Sequence, residues 1–261
     1  MADRVLPGPV TADACINEAV CIHTRKIFDS CRDKDCIEDL RVFPTVSSQP
    51  YIDSAFSIRP KGAELLYVNV NVEEISFNRG HFTVDVTYFY KITGDIVPGG
   101  QTVTGLAVFD KRAILYGSEG SAKVFHSDAP GIVPQTNALP IAAVEAVDPI
   151  VLSMKLVDRC HCGMDGELRD VPQAILDAFG EGLVLADTNR RWYATLGQFS
   201  IIRLERDTHL LIPAYDYCVP CKECMGSDQD DPCTLFGRIR FPLEEFFPPD
   251  HCHAHAEQDC N

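Results

Sequence analysis

From residue 64 to residue 92 the chain alternates apolar and polar residues with a period of two, the spacing of a strand buried on one face. In ELLYVNVNVEEI, Leu66, Val68, Val70 and Val72 fall on one side and Tyr67, Asn69, Asn71 and Glu73 on the other. After a turn-like FNRG at 77–80, HFTVDVTYFYKI repeats the pattern, with Phe82, Val84, Val86, Tyr88 and Tyr90 opposite His81, Thr83, Asp85 and Thr87. Two such runs around a short polar turn predict an antiparallel hairpin. A third run, 101–120, is rich in β-formers but loses strict alternation around Asp110 to Arg112, which predicts a bulge or bend before the GSEG turn leads into SAKVFHS. Further strands are expected at 148–158 and 196–205.

One helix is specified in the later part of the chain. Asp170 stands as N-cap with Gln173 in the capping-box position, Val171, Ala174, Ile175, Ala178 and Phe179 follow at helical spacing, and Gly180 is the stop. Its apolar stripe should pack on a sheet face. SDAPGIVPQTNALP, 127–140, holds three prolines and little periodicity, and is expected as a long connection or an arm lying on a surface, the best candidate for a domain seam. The pattern predicts a mainly β protein: an antiparallel, β-sandwich-like core with one or two short helices and cysteine-rich terminal segments. The expected division is a cysteine-rich N-terminal segment or arm at 1–55, a β-sandwich core at 56–160, and a helix, strands and a cysteine-rich region at 161–261 that complete the same domain or stand beside it.

Composition adds two constraints. With 38 acidic against 23 basic residues the net charge is −15, so the summed field repels phosphate backbones and anionic membrane surfaces; neither nucleic acid nor membrane is expected as a partner. The 261 residues are enough for a real core, so the 12 cysteines are not compensating for small size. The opening MADRVLPGPVTADAC has no continuous apolar stretch and does not read as a secretory signal peptide.

The cysteines form three clusters: Cys15, Cys21, Cys31 and Cys36; Cys160 and Cys162; and Cys218, Cys221, Cys224, Cys233, Cys252 and Cys260. An even number permits complete disulfide pairing, which makes all twelve cross-link candidates and implies no cofactor. The alternatives are free thiols and zinc, for which Cys160, His161, Cys162, Cys218, Cys221 and Cys224 supply a pool of thiolates and an imidazole, although no second C-x2-C closes a finger. Other chemistries fail on their spacing. The Cys218, Cys221, Cys224 run does not continue as an iron–sulfur motif, CVPC has no βαβ context, SDQDD lacks the glycine and glutamate of an EF-hand, and YGSEG lacks the first glycine of a nucleophile elbow. His251, His253 and His255 alternate on a tail that is expected to be solvated. No catalytic residues emerge, and the chain is expected not to be an enzyme.

DSCRDKDCIEDL, 29–40, concentrates both chemistries. Cys31 and Cys36 are five apart, a spacing that diverges on a helix and disfavours chelation; they could bridge one another in a tight loop or bond to separate partners. Arg32, Asp33, Lys34, Asp35, Glu38 and Asp39 read as a solvated or inter-subunit charged surface.

Three stretches, CIHTRKIFDSCRDKDCIEDLRV (21–42), VTGLAVFDKRAILYGSEGSAKVF (103–125) and DDPCTLFGRIRFPLEEFFPP (230–249), resemble blocks of a cysteine-rich protein family of clostridia and related spore-forming Firmicutes. The resemblance spans about Cys15 to Pro249. It implies a protein similar in style to exosporium and appendage proteins that assemble with copies of themselves into disulfide-locked layers or fibres. It also implies a place on the spore surface, reached after mother-cell lysis and followed by oxidation outside the cell.

Overall fold

The computed structural model describes residues 20–119, 123–124, 135–136, 139–158, 171–186, 188–212, 236–237 and 239–246. The chain is mainly β and antiparallel. Its strands are β1 (Val20–Pro44), β2 (Ser57–Glu74), β3 (His81–Val97), β4 (Thr102–Tyr116), β5 (Lys123–Val124), β6 (Gln135–Thr136), β7 (Ile141–Ala146), β8 (Ile150–Asp158) and β9 (Arg190–Ile212). Short helices are α1 (Gln49–Ser54), α2 (Gln173–Asp177) and α3 (Leu243–Phe246).

Seven strands make one sheet in the order β2-β3-β4-β1-β9-β7, and β8 continues beside β7 along the same edge of β9. The sheet curls until its first strand meets its last: β2 packs on β7 and β8, and the Leu65 amide donates to Asp148 Oδ1 at 2.8 Å. The result is a nearly closed barrel, with β5 and β6 as a separate two-stranded ladder. Strand closure of this kind leaves few unpaired backbone groups at the edges.

The β2–β3 hairpin forms as its alternation predicts, with Glu74 opposite Phe82 and pairing that runs back to Ser57 and Val97. One detail differs. The β2–β3 register shifts between Leu65 and Tyr67, which flips the phase of the strand: Leu65, Val68, Val70 and Val72 face the main core, whereas Leu66 packs on the opposite face. A bulge adds one residue and therefore swaps inside for outside, which alternation alone does not reveal.

The bulge expected at Asp110 to Arg112 is absent. β4 pairs with β3 in unbroken register from Thr102 to Tyr116, and Val103, Ala107, Phe109, Ala113 and Leu115 belong to the core on its inner face. Lys111 occupies an inward position in that same series. A buried charge had interrupted the hydrophobic pattern while the backbone continued straight through.

Residues 20–44, expected as part of an N-terminal arm, form the longest strand and lie in the sheet between β4 and β9. β1 pairs with β9 over nearly its whole length, with register shifts at Ile27/Asp29 and Ile37/Leu40, but with β4 only at Val42, Phe43 and Pro44. Beyond Ala107 the backbone ladder ends, and the inward-facing β4 side chains past that point, Lys111 among them, reach toward β1 across the interior.

The main core fills this interior: Val84, Tyr88, Tyr90 and Ile92 from β3 meet Val103 and Leu115 from β4 and Trp192, Leu196, Ile202 and Leu204 from β9. A smaller cluster on the outer face joins Phe89 and Leu106 to Ile175 of α2, with Val171 and Phe179 packed against it. The helix thus covers a sheet face as expected, but it starts later, after Pro172, and has no side-chain cap; Asp170 lies outside the described residues. Gly180 ends the segment with φ of 68°, the left-handed conformation that suits glycine at a helix stop. The 127–140 connection and SAKVFHS lie mostly outside the described residues. Among the described residues no helix is long and apolar enough to cross a membrane.

Candidate functional site

The stretch CRDKDCI, 31–37, is a strand, and its period of two sorts the residues onto two faces. Cys31, Asp33, Asp35 and Ile37 point into the barrel, while Arg32, Lys34 and Cys36 point outward. Register with β9 fixes what each meets: Cys31 lies opposite Ile202, Asp33 opposite Ser200, Asp35 opposite Gln198, Lys34 opposite Phe199 and Cys36 opposite Gly197.

Inside the barrel, Lys111 of β4 reaches the two aspartates of β1. Its ammonium donates to both oxygens of Asp35, at 2.8 Å to Oδ1 and 2.7 Å to Oδ2, and lies against Oδ2 of Asp33. The Asp33 contact differs in kind, because among the described residues Asp33 Oδ2 has no hydrogen-bond partner, whereas Oδ1 accepts from the Lys34 amide at 2.6 Å. All three side chains are largely withdrawn from solvent, with exposures of 7% for Lys111, 9% for Asp33 and 15% for Asp35. The reading of Asp33 and Asp35 as surface charges is thereby corrected: their positions on the strand, not their polarity, decide which way they face.

Aromatic rings line the same layer. Tyr88 stacks with Tyr90 at 6.0 Å and with Phe109 at 6.1 Å. Among the described residues the geometry gives the buried hydroxyls of Tyr88, Tyr90 and Ser200 no hydrogen-bond partner, although Tyr88 faces Ser200 closely enough to ease its ionisation slightly. Burial dominates and pushes the Tyr88 phenol up to about 12 and that of Tyr90 further up. It also pushes the Asp35 carboxyl up to about 7 and draws the Lys111 ammonium down to about 8. One cation beside two carboxylates in a dry interior is expensive fully ionised, and these shifts all run toward the neutral forms.

The outer face is covered from the C-terminal side. The Lys34 ammonium donates to the carbonyls of Gly237 at 2.6 Å and Ile239 at 2.7 Å, and lies 5.2 Å from the Phe236 ring. Phe236 packs on Phe199 at 4.6 Å and over the bare backbone of Gly197. Phe241 then meets Phe199 and Phe246, at 5.4 Å and 5.1 Å. The three quoted blocks therefore converge here: the first supplies both aspartates and Lys34, the second Lys111, and the third the aromatic cover.

Of the twelve candidate cysteines, three are among the described residues. Cys21 is exposed and free; Cys31 and Cys36 are disulfide-bonded, and Cys31 is 1% exposed. The expected divergence of Cys31 and Cys36 holds, but on a strand instead of a helix. Five residues of strand separate them by about 16 Å, well beyond disulfide reach, so they are not bonded to each other. Cys15, Cys160, Cys162, Cys218, Cys221, Cys224, Cys233, Cys252 and Cys260 lie outside the described residues, as do His161 and the tail histidines His251, His253 and His255. The whole pool considered for zinc is thus outside them. Among the described residues no group of three or more His, Cys, Asp or Glu is placed to hold a metal ion.

Sequence reasoning missed Lys111 as a site residue and placed its partners at the surface. Two signals marked them: aspartates two apart within a β-compatible stretch, and a lysine at an inward position of an otherwise regular strand.

No family model matches the chain, and no solved structure does. Among known proteins it is similar to Exosporium protein A of Clostridium sporogenes (strain ATCC 15579), 25% identical over 254 residues that cover 93% of this chain and 79% of that protein.

Proposed function

We propose that this chain is a non-enzymatic structural subunit of a spore-surface layer or fibre, assembled from copies of itself and locked by disulfides. The observation that carries the reading is the similarity to Exosporium protein A along nearly the whole chain, which makes it a likeness of whole proteins and not of one shared module. The barrel suits the role, since long paired strands resist local opening better than loops do. Oxidised cysteines at 31 and 36 fit a protein that matures outside a reducing cytosol, and the exposed thiol of Cys21 is accessible to a neighbouring subunit. The surplus of acidic residues keeps subunits apart and soluble until their thiols lock.

Electrophoresis of the purified full chain tests the covalent part. Without reductant the reading expects a ladder of multimers that collapses to one band with reductant, and Cys21→Ser should remove or shorten it. Antibody labelling of intact spores of the source organism tests the location. A single monomer band without reductant, together with unlabelled spores, would overturn the reading.

A further inference from the structure

We propose that Lys111 and Asp33 join in an intramolecular isopeptide bond, with Asp35 as the catalytic proton carrier, so that β4 and β1 are cross-linked through the barrel interior. The proposal does not depend on the spore-surface role.

The two strands pair backbone to backbone only at Val42, Phe43 and Pro44 and then separate, so this side-chain bridge spans the region where backbone pairing is lacking. The amine and both carboxyls are held in a layer walled by Tyr88, Tyr90 and Phe109, where water is excluded and condensation is favoured over hydrolysis. The two aspartates are not equivalent. Asp35 is within hydrogen-bond distance of the Lys111 nitrogen through both oxygens, the arrangement of a proton carrier. Asp33 touches the same nitrogen without a hydrogen bond at Oδ2, and its Oδ1 is held by the Lys34 amide, a donor aimed at the oxygen that gains charge when the carbonyl carbon is attacked. Burial moves Lys111 and Asp35 toward the unionised amine and carboxyl that the reaction begins from.

The step balances without a further reactant. The lone pair of the neutral Lys111 Nζ forms a bond to Cγ of Asp33. Asp33 reacts as its carboxylic acid: its Cγ–OH bond breaks, Asp35, protonated at the start, gives its proton to the departing hydroxyl, which leaves as water, and Asp35 regains a proton from the nitrogen. The product is a neutral amide, nothing is oxidised or reduced, and the buried ion pair with its desolvation cost is gone.

The test is the mass of the wild-type full chain, denatured, reduced and alkylated so that disulfides do not contribute. The expected mass is lower than the sequence mass by one water, and trypsin should release a branched peptide joining residues 33–34 to residues 92–112, uncleaved at Lys111. Lys111→Met and Asp33→Ala should return to their full sequence masses, and Asp35→Ala should remain wholly or largely unlinked. A wild-type chain at full mass would overturn the proposal, as would a branch carrying residues 35–41, which would place the bond on Asp35. The wild-type measurement is decisive even where a variant does not fold.

Discussion

Asp35 shows how one buried carboxyl links structure to pH. Its ordinary value is 3.8 and burial raises it to about 7 in the folded chain. Between those values the native state holds a proton that the unfolded chain has released, so stability is greatest below about pH 4 with respect to this group and falls as pH rises toward 7, then levels off. Urea unfolding midpoints at about pH 4 and about pH 8 should differ in that direction for the wild type, and Asp35→Asn, which keeps the shape and removes the charge, should shrink the difference. An unchanged pH dependence in the variant would place the titration elsewhere. The same residue explains a failure of pattern reading, because Asp33, Asp35 and Lys111 occupy the inward positions where alternation leads one to expect Val or Leu.

At the scale of elements, legibility follows from who fills the inner face. The β2–β3 hairpin was readable because its core positions are apolar and its outer positions polar. β1 was not, since a central strand with two inward aspartates imitates a charged surface, and in β4 one inward lysine imitated a bulge. The cover over β1 and β9 was equally hidden, because it depends on a glycine. A Cβ at Gly197 would sit 2.6 Å from the Phe236 ring, so Gly197→Ala should push the 236–246 segment off the sheet. The expected cost is about 1–3 kcal/mol, typical of overpacking. Limited proteolysis should then cut the C-terminal segment well before the barrel, whereas in the wild type the two should resist together. Equal resistance in variant and wild type would show that the aromatic contact does not hold the segment.

For the whole molecule, the antiparallel β class was legible from periodicity, and the near closure of the sheet was not, since closure depends on the meeting of β2 with β7 and β8, which no local pattern encodes. Among the described cysteines, Cys31 and Cys36 are disulfide-bonded, one inside the barrel wall and one on its covered face, and Cys21 is free. In the proposed role, contact between copies falls to the surfaces and the remaining thiols. The most direct measurement is negative-stain electron microscopy of the purified full chain, prepared with and without reductant. Ordered sheets, tubes or filaments that form without reductant and loosen or disperse with it are expected; single dispersed particles under both conditions would contradict the structural role.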